Sequence, residues 1–104
     1  MALSYGQTCP VARALDVLGE RWSLLILRDL RRKGPLRFQQ LADGLTGVAP
    51  NTLSARLKAL EAHGVIATRL YAQHPPRYQY FLTNKGQSLA PVLKALHAWG
   101  ERHA

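Results

Sequence analysis

Three groups of residues in this 104-residue chain could do chemistry. The first is Asn51, Thr52, Ser54 and Lys58, spaced so that a helix through them presents an amide, two hydroxyls and an ammonium to one side. Such groups hydrogen-bond base edges and pair with phosphates, so the chemistry on offer is recognition of a nucleic acid. The second is the segment 73–77, Gln-His-Pro-Pro-Arg, which supplies Gln73, His74 and Arg77 with no acid beside them. The third is Cys9, directly before Pro10. A thiol at the start of a helix should have its thiolate favoured by the helix dipole, and Arg13 one turn on adds to that, so Cys9 is a candidate reactive thiol. As the single cysteine it cannot form an intramolecular disulfide; a bridge would run between subunits or to a small thiol. The other reading of Cys9 is a small residue tucked near a subunit interface, with no signalling role.

Catalysis finds no comparable support. His63, His74, His97 and His103 show neither HExxH nor paired Cys/His spacing. There is no P-loop, dinucleotide-binding glycine pattern or nucleophile elbow, and the six acids are scattered over different elements. No catalytic residue, metal site or cofactor is expected.

The element that must carry the first group runs from Ala49 to Gly64. Pro50 has no N–H to lose in a first helical turn and fixes φ near the helical value, while Gly64 can take the left-handed conformation that ends a helix. Leu53, Leu57 and Leu60 fall on one stripe, which faces a core. The opposite face carries Asn51, Ala55, Lys58 and Ala62, flanked by Thr52, Ser54 and Ala59, with no acid at its centre. A merely solvated helix tends instead to be laced with acid–base pairs at i,i+4. A small, polar, basic face can lie in a DNA major groove, with Asn51, Thr52 and Ser54 near bases and Lys58 near phosphate.

Charge points the same way. From Arg21 to Lys85 there are eleven Lys or Arg against Asp29, Asp43 and Glu61, which accounts for the whole formal charge of +8. Outside that window Arg13, Lys94 and Arg102 are matched by Asp16, Glu20 and Glu101. A polyanion is the implied partner, and nucleic acid fits better than a membrane because no basic helix has a strongly apolar opposite face. No apolar run approaches the roughly 20 residues of a membrane span. The opening MALSYGQTCP has neither the basic patch nor the apolar core of a secretory signal, so a cytoplasmic location is expected. The length suits one domain over residues 1–104.

The remaining elements follow in order. Thr8 or Cys9 caps a helix starting at Pro10, with Val11, Ala14, Leu15 and Leu18 as its stripe and an end near Gly19. A second helix, Trp22 to about Arg32, should be the most buried, since Leu24, Leu25, Ile26, Leu27 and Leu30 leave little polar surface. Arg31, Arg32 and Lys33 suit its negative end. Gly34 and Pro35 break it; Leu36 is extended, and a third helix spans Arg37 to about Leu45. Residues 46–49 supply the glycine-containing turn of a helix-turn-helix. After Gly64 the period becomes that of strands, 65–71 and 78–82, with 73–77 as a hairpin tip because Pro75 and Pro76 cannot sit inside a paired strand. Thr83 caps a last helix to about His103, bent by Pro91, with Leu89, Val92, Leu93, Leu96 and Trp99 as a broad stripe. So broad a face on a terminal helix exceeds what a small domain covers, and the charge-neutral ends suggest a homodimer through the first and last helices. The fold class is therefore mainly α with a β-hairpin wing, a winged helix-turn-helix. That fold also serves protein-interaction and RNA-binding modules, which stay open on composition alone.

The same order of elements, with Cys9-Pro10, Leu18-Gly19-Glu20-Arg21-Trp22, Leu36-Arg37-Phe38, Leu53-Ser54-x-Arg56-Leu57-x-x-Leu60-Glu61, Gly64-Val65-Ile66, Pro76-x-x-x-Tyr80-x-Leu82-Thr83 and Lys85-Gly86, resembles the HxlR-type family of bacterial winged helix-turn-helix regulators over nearly the whole chain. The resemblance implies a homodimer on a pseudo-palindromic double-stranded operator, repressing or activating nearby genes. It implies Asn51, Thr52, Ser54, Arg56 and Lys58 as DNA contacts, His74 and Arg77 as wing contacts, and Arg37 and Gln39 as phosphate anchors. By helical geometry Arg56 lies on the flank of the core stripe, which favours a backbone contact or a salt bridge over base readout. Some members sense oxidants or electrophiles through a cysteine at the place of Cys9, so an oxidant or small-molecule effector is possible. Ala49 departs from the Ser that members often use as the helix cap, and Ala is a poor cap by roughly 1 kcal/mol.

Overall fold

The computed structural model describes residues 9–104. Helix α1 spans Pro10–Leu18, and Cys9 caps it: the sulfur accepts from the Ala12 N–H at 3.4 Å. Thr8, the other cap considered, lies outside the described residues. Helix α2 covers Arg21–Lys33, with Glu20 capping through its carboxylate on the Trp22 N–H. Its burial falls on Ile26, Leu27 and Leu30 and also on Ser23 and Asp29, whereas Leu24 and Leu25 are half-buried and pack against the core's edge. Gly34, at φ +82, ends the helix, and Leu36 is extended as expected. It exchanges both backbone hydrogen bonds with Tyr80, adding a one-residue third strand to the wing.

Helix α3 is Phe38–Gly44, held at its start by the Gln40 side chain, which accepts from the Arg37 N–H at 2.9 Å. The turn to α4 contains Gly47 at φ +89, a left-handed value that disfavours any side chain. Helix α4 is Pro50–Ala62, followed by Gly64 at φ +74. Leu53, Leu57 and Leu60 are fully buried, each contributing on the order of 2 kcal/mol from apolar surface removed from water. They meet Ile26, Leu27, Leu41, Leu45 and Ile66 in one core beneath the helix-turn-helix.

Strand β1, Ile66–Gln73, pairs antiparallel with β2, Pro76–Leu82. The hairpin tip is tighter than the two prolines suggest. Gln73 pairs with Pro76 and Ala72 with Arg77, which leaves only His74 and Pro75 as the turn, joined by a cis peptide bond. In a two-stranded sheet a proline at the strand end loses no ladder hydrogen bond if its nitrogen faces outward, so Pro76 is tolerated. The register shifts between Leu70 and Ala72, making Tyr71 a bulged residue.

The last helix is not one bent helix. Thr83 caps a single turn, α5, Asn84–Gln87, by accepting from the Gly86 N–H; α6 then starts afresh as Ala90–His103. Pro91 sits in the first turn of α6, where its missing N–H has no partner to lose, so the chain breaks ahead of it instead of bending at it.

Candidate nucleic-acid interface

The outer face of α4 is open: Asn51, Ala55, Lys58 and Ala62 are all exposed, and Thr52 and Ser54 lie half-buried on its shoulders. The two ends of this helix are held differently. Ala49 makes no side-chain cap, so the N–H groups of the first turn have no partner from it. At the other end the Lys85 ammonium donates to the His63 carbonyl at 2.8 Å and the Thr83 hydroxyl to the Gly64 carbonyl at 2.6 Å. The Thr83 N–H adds a bond to the Val65 carbonyl. Gly86 packs so closely there that a Cβ would come within 2.0 Å of the Val65 oxygen.

Arg56 is engaged within the protein. Its Nε lies 3.8 Å from Glu20 Oε2, linking α4 to the start of α2, and Glu20, Asn51, Thr52, Ala55 and Arg56 line one shallow depression. Sequence reading left Arg56 between a salt bridge and a backbone contact; in the structure it makes the salt bridge, with a partner that only tertiary packing brings near. Gln39 donates to Asp43 Oδ1 at 2.9 Å within α3, which places a carboxylate beside it.

Arg37 and Arg77 converge with a residue that sequence reading passed over. The bulge at Tyr71 takes that side chain out of the strand's alternation, and the Arg37 guanidinium stands 5.5 Å from its ring centre. The Tyr71 hydroxyl is held below the usual tyrosine range, chiefly by a hydrogen bond from Arg37 against some desolvation, and further by one from Arg77. Two guanidiniums from separate elements thus bear on one phenol, and His74 of the turn is exposed. The only sequence signal was an aromatic residue inside a basic hairpin. Arg69 stacks similarly on Phe81, at 5.3 Å.

Cys9 is exposed at the head of α1. Next to it on that helix Val11 is 70% exposed and Leu15 is also open to solvent. No residue of α6 is buried. The expected interface residues divide: Val92, Leu96 and Trp99 (63% exposed) face outward, while Leu89 and Leu93 pack half-buried against the chain's own core. Among the described residues no cluster of His, Cys, Asp and Glu could hold a metal ion, and no helix is long and apolar enough to cross a membrane.

Comparison with known proteins agrees with this geometry. Residues 17–104 match the profile of the HxlR-like helix-turn-helix family. A protein of Synechocystis sp. named an HTH-type transcriptional regulator is 44% identical over 95 residues, covering 91% of this chain and 70% of the relative. The crystal structure of the HTH-type transcriptional regulator ytcD superposes with a TM-score of 0.84 at 35% identity, over 92% of this chain and 97% of that one. The redox regulator HypR in its reduced form gives 0.84 at 31% identity, over 90% and 92%.

Proposed function

Since this chain belongs to the HxlR-like helix-turn-helix family of transcriptional regulators, we propose that it works as a cytoplasmic homodimer on a pseudo-palindromic operator, residues 1–104 acting as one DNA-binding unit. The observation that carries the reading is the exposed outer face of α4, which has no acid at its centre. That face enters the major groove, where Asn51, Thr52 and Ser54 meet base edges and Lys58 a phosphate. The wing follows the flanking backbone or minor groove with His74 and Arg77. Arg37 anchors a phosphate from the start of α3, with Gln39 beside it and Tyr71 aligning the two guanidiniums. Arg56 braces the helix through Glu20 and touches backbone only.

Dimerisation joins the exposed faces of α1 and α6, Val11 and Leu15 with Val92, Leu96 and Trp99, while Leu89 and Leu93 seat α6 on its own domain. Two recognition helices about 34 Å apart then reach successive major grooves on one side of the duplex. Cys9, exposed beside Val11, responds to oxidants or electrophiles and so couples thiol chemistry to the dimer. The likeness to a redox regulator supports this role.

The test is fluorescence anisotropy of the reduced protein with duplex DNA from upstream of its own gene, a shuffled duplex as control, and salt varied. Preference for the native duplex by about tenfold or more, equivalent to about 1.4 kcal/mol, is the expected result. No binding at low salt would favour a protein-interaction module. Treating the protein with an alkylating agent should alter operator affinity, and Cys9→Ser should abolish that response; a response unchanged in Cys9→Ser removes the sensing role.

A further inference from the structure

A second concentration of positive charge lies outside the proposed DNA interface. A cleft of about 510 Å³ runs between α2 and α6, lined by Arg28, Arg31 and Arg32 from one helix and by Leu93, Lys94 and His97 from the other. Two of these groups are matched within the protein. Arg28 Nε lies 2.9 Å from Asp29 Oδ1, a carboxylate that is itself only 3% exposed, and His97 Nε2 lies 3.3 Å from Glu101. Among the described residues no carboxylate stands within ion-pair distance of Arg31, Arg32 or Lys94.

Arg31 and Arg32 have a local reason to be where they are, since cations suit the negative end of α2. Lys94 has none. It sits in the second turn of α6, past the reach of the helix end, and it lines the same cleft as two unmatched guanidiniums. Like charges brought together from two helices repel, and an anion between them offsets that repulsion. The volume is that of a small-molecule site, and Leu93 with the aliphatic stems of the arginines gives it an apolar floor.

We propose that this cleft binds a compact multivalent anion, one carrying two or more phosphate or carboxylate groups, and that the bound anion ties α6 to α2. The inference deepens the regulator reading and rests on it for its consequence. Helix α6 rests on its own core only through half-buried Leu93 and its cap Leu89, and it carries the apolar face assigned to the partner subunit. An anion that draws Lys94 toward Arg31 and Arg32 fixes the angle of α6 and with it the separation of the two recognition helices.

Titration calorimetry of the full chain at low salt, with inorganic pyrophosphate and separately with citrate, tests the site. Saturable binding at one anion per chain is expected, with a dissociation constant below about 1 mM, weakened about tenfold or more in the Arg31→Gln/Lys94→Gln double variant. The Lys58→Ala/Arg77→Ala double variant should bind as the parent does. Pyrophosphate alone binding would mark a phosphate ligand and citrate alone a carboxylate ligand; either supports the site. Absence of saturable binding, binding that survives Arg31→Gln/Lys94→Gln, or binding lost only in Lys58→Ala/Arg77→Ala overturns it. Circular dichroism establishes that each variant is folded. The same Arg31→Gln/Lys94→Gln protein should hold duplex DNA normally without added anion; lost DNA affinity would assign the cluster to the DNA backbone and overturn the proposal. Failure of the parent protein to bind any duplex would instead remove the regulator reading and leave the anion titration to stand by itself.

Discussion

Helices α4 and α6 are similar in length, and each carries a periodic apolar stripe, yet they spend it differently. Helix α4 buries Leu53, Leu57 and Leu60 completely and turns a small polar face outward. Helix α6 buries no residue fully, half-burying Leu93, and turns Val92, Leu96 and Trp99 outward. The contrast separates two kinds of exposed face by their chemistry. A face of Asn, Ala and Lys can approach a hydrated, charged groove; a face of Val, Leu and Trp gains only by meeting another apolar surface. The first suits DNA and the second suits protein.

The comparison can be broken most sharply with one substitution on each helix. Leu57→Ala should lower the unfolding free energy by about 2–5 kcal/mol in urea titration, since it opens a cavity in the core. Leu96→Ala should leave the unfolding of dilute protein within about 0.5 kcal/mol but weaken self-association in sedimentation. Equal losses in dilute protein would mean that α6 belongs to the core after all. Gly86→Ala tests the junction between the two helices: its Cβ would meet the Val65 carbonyl, and overpacking of this kind costs about 1–3 kcal/mol, read as a lowered Tm.

Smaller effects sharpen the account of the α4 face. Asn51→Ala should relax preference at one base position by about 1–3 kcal/mol, measured by competition between operator variants. Lys58→Ala should weaken binding to every sequence and reduce the slope of log affinity against log salt by about 1. If both substitutions gave the same pattern, the division into base contact and phosphate contact would fall. At the small end, Ala49→Ser should add about 1 kcal/mol of stability by capping the first turn, with no loss of DNA binding.

The framework of helices was legible because each has local causes: Pro50 and Gly64 bound α4, Gly34 ends α2, and the leucine spacing identifies the inner faces. What was not legible depends on partners distant in sequence. The salt bridge between Arg56 and Glu20 spans α4 and α2, and the burial of Asp29, which reads in sequence as one more surface charge, depends on how α2 packs. Tyr71 joined the candidate site because a bulge shifts the register, and nothing in a run of alternating residues announces the extra one. Pro76 and Pro91 misled in opposite ways. Pro76 is accepted at a strand end although a paired interior excludes proline, and Pro91 opens a new helix in place of bending one. Periodicity also cannot say who covers a stripe, so the five residues of the last helix were grouped although Leu89 and Leu93 face the chain's own core.

The attachment of α5 to the end of α4 is made to main-chain oxygens alone: those of His63, Gly64 and Val65. Such joints are indifferent to most side chains that precede them. None of Asn51, Thr52, Ser54 or Lys58, the outer-face residues proposed to read DNA, takes part in this joint, so replacing them should leave it intact. If the proposed reading holds, address and chassis are separable, and a transplanted set of outer-face residues should keep the parent's fold.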